Sequence, residues 1–182
     1  MIQIRIHGRG GQGVVTAAEL IAIAAFYEGK EAQAFPSFGV ERTGAPIEAF
    51  VRISDQPIRT REHIYRPDIL IVQDPTLLAT VNLAEGCDKK TKLIINTADT
   101  KEKLNIKLPP ENIYTVDATK IALKIIGKNL VNTVILGAFA KVTGLVSLTS
   151  LEKAIKEKFF DKGAEIVDKN ISAIKQAYNY EK

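Results

Sequence analysis

The chain has 182 residues, 46% of them hydrophobic and 25% charged, with 25 Lys and Arg against 21 Asp and Glu for a formal net charge of +4. That is an ordinary globular profile, long enough to bury one substantial core without metal or disulfide. The single Cys87 excludes a disulfide framework, a Cys-cluster zinc site and a self-contained iron–sulfur cluster. No apolar run approaches the roughly 20 residues of a membrane span, and the first residues lack the layout of a signal peptide. The expectation is a soluble, cytoplasmic protein with residues 1–182 forming a single domain.

The positive surplus lies in the second half as scattered lysines (Lys101, Lys103, Lys107, Lys120, Lys124, Lys128) without interleaved aromatics. That favours a solvated face over a nucleic-acid or membrane partner. All seven Arg fall within the first 66 residues. Arg presents a planar fork to carboxylates and phosphates, so anion binding or a polar subunit contact is sought in the first third of the chain.

Residues 2–7 alternate apolar and polar as a strand with one buried face would. A glycine turn, Gly8 to Gly13, follows, and Val14 to Tyr27 is apolar enough to predict a helix covered on most sides. Gly29 closes that helix, and Glu31 to Phe35 make a short second strand. Phe35 to Pro46 keeps neither period and reads as a long loop. Ile47 to Ile53 alternate again, and the Asp55-Gln56-Pro57 turn into Ile58 to Arg61 predicts an antiparallel hairpin. Ile69 to Val72, Leu93 to Asn96 and Ile113 to Asp117 are unbroken apolar runs, as in parallel strands buried on both faces. Val131 to Leu145 is a second apolar helix. Thr149 and Glu152 stand in capping-box spacing before a helix with Leu151, Ala154, Ile155 and Phe159 on one face. Val167, Ile171, Ile174 and Tyr178 mark a last helix. The pattern predicts an α/β fold: a Rossmann-like, open, mainly parallel sheet with helices on both faces and an inserted antiparallel hairpin.

Gly8-Arg9-Gly10-Gly11-Gln12-Gly13 matches G-x-G-x-x-G between a strand and a helix. Such a turn aims backbone N–H groups and a helix N-terminus at an anion, with Arg9 as a mobile charged donor. A turn that only lets strand and helix pack closely is the other reading. An NAD site needs an acid at the end of the second strand, about 20 residues on, and Gln33-Ala34-Phe35-Pro36 supplies none. In the long loop, Glu41, Arg42 and Thr43 lie between Gly39 and Gly44, a composition suited to contact with a ligand or partner. His7 and His63 read as structural, and Cys87 lies in a surface turn. There is no nucleophile elbow, P-loop or His-Glu-x-x-His zinc motif, so no catalytic residue and no metal ligand is assigned.

Four segments together carry a family resemblance: the glycine turn, Ala34 to Pro46, Asp117-Ala118-Thr119, and Asn132-Thr133-Val134-Ile135-Leu136-Gly137-Ala138. Over nearly the whole chain the sequence resembles the gamma subunit of pyruvate:ferredoxin oxidoreductase (pyruvate synthase) and its 2-oxoisovalerate relative. The resemblance implies a subunit, inactive alone, of an enzyme that decarboxylates pyruvate to acetyl-CoA and CO2 and reduces ferredoxin. Thiamine diphosphate, Mg and [4Fe-4S] clusters would sit on alpha, beta and delta partners, and this chain would bind no cofactor by itself. Within the complex CoA is its expected ligand, at Gly8, Arg9, Gly10, Gly11, Gln12 and Gly13. Glu41, Arg42 and Thr43 would face the substrate entrance or a partner subunit. The alternatives are a 2-oxoisovalerate enzyme, a free-standing NAD(P)-binding or redox-regulatory protein, and a purely structural subunit.

Overall fold

The computed structural model describes residues 1–37 and 43–180. Among them are six strands: β1 (Ile2–Arg9), β2 (Glu31–Pro36), β3 (Pro46–Ser54), β4 (Ile69–Val72), β5 (Lys92–Asn96) and β6 (Ile113–Val116). The α-helices are α1 (Val14–Tyr27), α2 (Ala118–Ile125), α3 (Val131–Thr143), α4 (Leu148–Lys158) and α5 (Ala164–Tyr178). The strands form one sheet in the order β2-β3-β1-β4-β5-β6. β1, β4, β5 and β6 pair in parallel, whereas β3 is antiparallel to both β1 and β2. β2 therefore runs the same way as β1, and β3 is the strand inserted against the grain.

The predicted α/β sheet is present, with two corrections: to its hairpin, and to the helices expected on both faces, since the five α-helices of the described residues all pack on one face and 3-10 turns and loops cover the other. Residues 58–61 form no strand, and β3 pairs with β2 through Glu31↔Ser54 to Pro36↔Ala49. Segment 55–68 instead crosses the face of the sheet opposite α1, held by buried arginines. Arg52 of β3 donates to the Glu62 carbonyl, and Arg5 of β1 donates to the Ile64 carbonyl at 3.4 Å.

The cover on the two faces is unequal. Ile4, Ile6, Ile71, Ile94 and Val116 point into one large core that includes residues of all five α-helices. Leu70, Val72, Leu93, Ile95 and Ile113 point the other way, under short 3-10 turns and loops contributing Leu77, Leu83, Leu104 and Ile106. Successive residues of β4 thus enter opposite cores, which is why Ile69 to Val72 reads as unbroken apolar sequence.

α1 has no polar face because β2 and β3 lie beneath it and α4 beside it. α4 begins at Leu148, two residues earlier than a Thr149 cap predicts. Ser147 is its N-cap, with Oγ accepting from Ser150 N at 3.0 Å. Glu28, at the end of α1, completes the cap: Oε1 accepts from Ser147 N at 2.8 Å and from Ser150 Oγ at 2.6 Å. Those hydrogen bonds, from Ser150 first and then Ser147, hold the Glu28 carboxyl down at about 2. A depressed carboxylate stabilises the fold above its ordinary range and loses that contribution as pH falls toward the folded value. Glu28→Gln is expected to cost about 1 kcal/mol at pH 7, the scale of a helix cap. In thermal melts the gap between variant and wild type should close between pH 4.5 and pH 2. A gap independent of pH would show that the charge at Glu28 contributes nothing.

Candidate functional site: the glycine-rich turn and its polar clamp

The carboxyl ends of β1, β4 and β5 meet at one edge of the sheet, where the turn from Gly10 to Gly13 leads into α1. Gly11 (φ 92°) and Gly13 (φ 70°) adopt the left-handed conformation that residues with a Cβ resist. Gly13 is the N-cap of α1, with no side-chain cap and no acid in the first turn, so the first-turn amides lack an intrahelical acceptor. A Cβ at Gly13 would also lie 2.5 Å from Asn132 Nδ2, so this position is set by close packing as well as by backbone conformation.

Arg9 is not a free arm. Its Nε donates to Asp74 Oδ2 at 3.1 Å, Nη1 to the Gly44 carbonyl at 3.0 Å, and Nη2 to Thr76 Oγ1 at 2.7 Å. Gln12 closes the clamp by accepting from Arg9 N at 2.8 Å and donating to Asp74 Oδ2 at 2.8 Å. Burial alone would raise the Asp74 carboxyl, but hydrogen bonds from Thr76 and Gln12, with Arg9 alongside, bring it below its ordinary value. Asp74 is therefore a carboxylate that fixes the turn. Three of the five guanidinium N–H groups serve these acceptors, and the other two have no acceptor among the described residues.

The second predicted group partly joins the first. Gly10 N donates to the Ala45 carbonyl at 2.9 Å, Gly44 N donates to the Gly10 carbonyl at 3.0 Å, and Thr43 bridges to Gly10. Thr43 thus lies beside the turn, while Glu41 and Arg42 fall outside the described residues. Arg5 is buried on the opposite face of the sheet, bound to the Leu83 and Glu85 carbonyls at 3.0 and 2.7 Å. Arg5 stands one residue from Ile4 and Ile6, so it points into the opposite core, whose loops supply the carbonyls that bind it.

His7 lies under the same edge, 3.5 Å from Glu48 Oε1. Burial, with Arg5 nearby, pushes its pKa down to about 3, so the imidazole is neutral at physiological pH. Burial likewise pushes the Cys87 thiol up, away from the reactive thiolate form. Among the described residues no group of three His, Cys, Asp or Glu could hold a metal ion. A cavity of about 590 Å³ opens between β6 and the last turns of α3 and α5, lined by Tyr114, Val116, Lys141 and Tyr180. It includes none of the turn residues.

The topology also bears on the dinucleotide reading. In a dinucleotide fold the ribose-binding acid ends the strand next to β1. Here β3 occupies that place, and β2 lies two strand spacings away, about 10 Å from β1. Both the acid and its position are missing.

The family model for pyruvate ferredoxin/flavodoxin oxidoreductase matches residues 3–180. The chain belongs to that family. It is 52% identical over 180 residues to the common gamma subunit of pyruvate/ketoisovalerate oxidoreductases of Thermococcus litoralis, covering 98% of this chain and 96% of the relative. The crystal structure of pyruvate oxidoreductase subunit PORC from Thermotoga maritima is similar at a TM-score of 0.82 and 39% identity, covering 97% of this chain and 94% of that one. A 2-oxoglutarate:ferredoxin oxidoreductase from Magnetococcus marinus, solved with 2-oxoglutarate, coenzyme A and succinyl-CoA, matches in fold at a TM-score of 0.77 and 20% identity. There this chain covers 30% of the neighbour's length and 97% of its own. Within the family, then, this chain is a gamma-type subunit of an oxidoreductase complex, and no helix among the described residues is long and apolar enough to cross a membrane.

Proposed function

We propose that this gamma-type chain, as one domain over residues 1–182, handles coenzyme A in a cytoplasmic 2-oxoacid:ferredoxin oxidoreductase. Pyruvate is the favoured substrate of the complex, giving acetyl-CoA, CO2 and reduced ferredoxin, and 2-oxoisovalerate is the alternative. The Thermococcus relative is named as a subunit common to a pyruvate and a ketoisovalerate enzyme. That supports a chain which serves the acyl acceptor and leaves choice of the 2-oxoacid to its partners. The loop with Glu41, Arg42 and Thr43 faces those partners or their substrate entrance.

Thiamine diphosphate, Mg and [4Fe-4S] clusters belong to the alpha, beta and delta subunits in this reading. The donor set here suits none of them: one half-buried thiol cannot supply a cluster's four thiolates. A phosphate ester does fit. The observation that carries the proposal is the clamped glycine turn, which sets the uncapped first turn of α1 close to Arg9, two of whose N–H groups have no acceptor among the described residues. A turn held by Asp74 and Gln12 before the ligand arrives spends little ordering free energy on binding.

In the assembled complex, Arg9→Ala is expected to raise the KM for CoA about tenfold, the loss of roughly one charge-assisted hydrogen bond. Gly10→Val should do the same by obstructing the approach of a phosphate. Reduction of the enzyme by 2-oxoacid alone should be unchanged in both. Variants that assemble normally and keep the wild-type KM for CoA would reduce the turn to a packing device.

A further inference from the structure

The N-termini of α1 and α3 lie side by side where the parallel strands end. Asn132, in the first turn of α3, sets its side-chain amide against Gly13, the N-cap of α1. Like α1, α3 begins without a side-chain cap and without an acid in its first turn. Two uncapped helix starts, each with its positive dipole end, are thereby neighbours.

A second observation comes from beneath. α1 packs over β1, β3 and β2, and α3 packs over β5 and β6, so β4 lies between the strands they cover. Gln73, the first residue after β4, is 1% exposed, and neither its Oε1 nor its Nε2 has a hydrogen-bond partner among the described residues. The amide is aimed at the start of α1: its Oε1 lies 3.3 Å from where a Gly8 Cβ would stand, a point that Val14 Cγ2 approaches to 2.5 Å. A buried amide left unpaired is costly, and few occur in native proteins without a ligand or other partner to answer them. It stands just past the carboxyl end of β4, the end of an open α/β sheet at which ligands bind.

We infer that Asn132 and Gln73 complete an anion subsite spanning the N-termini of α1 and α3, built for a diphosphate ester. One phosphate occupies the glycine turn, and the second lies over α3 with Asn132 Nδ2 as its donor. Gln73 forms the floor between them. This rests on the reading of the turn as a phosphate site and adds to it a second phosphate and two residues from different elements.

The decisive variant is Asn132→Asp, because its two effects are opposite in sign. An acid in the first turn suits the dipole of α3, so the melting temperature of the variant should match or exceed wild type. The same charge repels an anion. In the assembled complex Asn132→Asp is expected to raise the KM for CoA more than tenfold, and Asn132→Ala about threefold. The turnover number at saturating CoA and reduction by 2-oxoacid alone should be unchanged. Inorganic pyrophosphate should compete with CoA in wild type and fail to do so in Asn132→Asp.

The outcomes separate the two readings. If Arg9→Ala and Gly10→Val raise the KM while Asn132→Asp alters neither the KM nor inhibition by pyrophosphate, the subsite is wrong and the turn stands. If pyrophosphate fails to compete with CoA in wild type, the diphosphate subsite falls, whatever the KM values. If no variant changes either quantity, both readings fall.

Discussion

Gly137→Ala is expected to cost about 3 kcal/mol of stability, and Gly137→Val to prevent folding of the chain, because α3 and α5 meet there backbone to backbone. A Cβ at Gly137 would lie 2.1 Å from the Ile174 carbonyl oxygen, 2.9 Å from Tyr178 N and 3.0 Å from Ala177 Cβ. The two nearest of these are main-chain atoms, so no side-chain rotation relieves the clash and the helices must separate. Separation in turn pulls apart the buried hydrogen bond that crosses the same seam, Thr133 Oγ1 to Asn170 Oδ1 at 2.6 Å. For a chain of this size such a loss should lower the melting temperature by on the order of 10 °C. A Gly137→Ala chain melting within a degree or two of wild type would mean that the seam is adjustable and the close approach incidental.

Arg5→Leu should destabilise by a similar amount through a different cause. Arg5 is 6% exposed and donates to three carbonyls, those of Ile64, Leu83 and Glu85. Two of these acceptors are buried, and a leucine fills the space while leaving them unpaired. About 3 kcal/mol is the expected cost, some 1–3 kcal/mol for each acceptor stranded away from water. The loss should be local before it is global, since the stranded carbonyls belong to the loops that cover the sheet opposite α1. Amide exchange should rise first in segments 55–68 and 82–91, with α3 and α5 protected as before. Arg66→Ala, at an exposed position of the same segment, serves as the control and should leave both quantities unchanged. Equal protection in Arg5→Leu and wild type would show that the loops are held by their apolar residues alone.

These two positions mark what the sequence could and could not reveal. Val14 to Tyr27 and Ile69 to Val72 were readable to the residue, because an apolar run ended by Gly or Pro states both its type and its limits. Ile58 to Arg61 follows a turn as the second strand of a hairpin would, yet lies in a loop, since its segment is held by guanidinium groups of Arg5 and Arg52 rather than by a ladder. Bonds from a strand arginine to carbonyls 59 and 78 residues away leave no local pattern. Thr149 looked like the cap of α4 because the capping box is a local rule, whereas the real cap, Ser147, is completed by Glu28 from another helix.

At the site, the glycine turn was legible and its clamp was not. Nothing in the local sequence joins Arg9 to Asp74, a pair brought together only by the parallel register of β1 and β4. Gly137 and Asn132 were both visible as members of a motif, but their separate roles depend on which helix lies opposite each of them. The sequence also showed that the ribose-binding acid was absent. That the strand meant to carry it is displaced from β1 emerges only from the sheet order.

The insertion of β3 has a consequence for how the chain comes together. β1 precedes the other strands of this sheet in the chain and is central in it, yet neither of its neighbours is local: Ile4 pairs with Val51 on one side and with Ile69 on the other. Its hydrogen bonds must wait for loops of some 45 to 65 residues to close, an entropic cost that grows only slowly with length but delays every contact beyond it. Until β4 docks, Asp74 is not beside Arg9, and the glycine turn is a flexible strand end rather than a formed cradle. A nascent chain therefore gains the Arg9–Asp74 clamp only once Asp74 has emerged from the ribosome and β4 has docked beside β1.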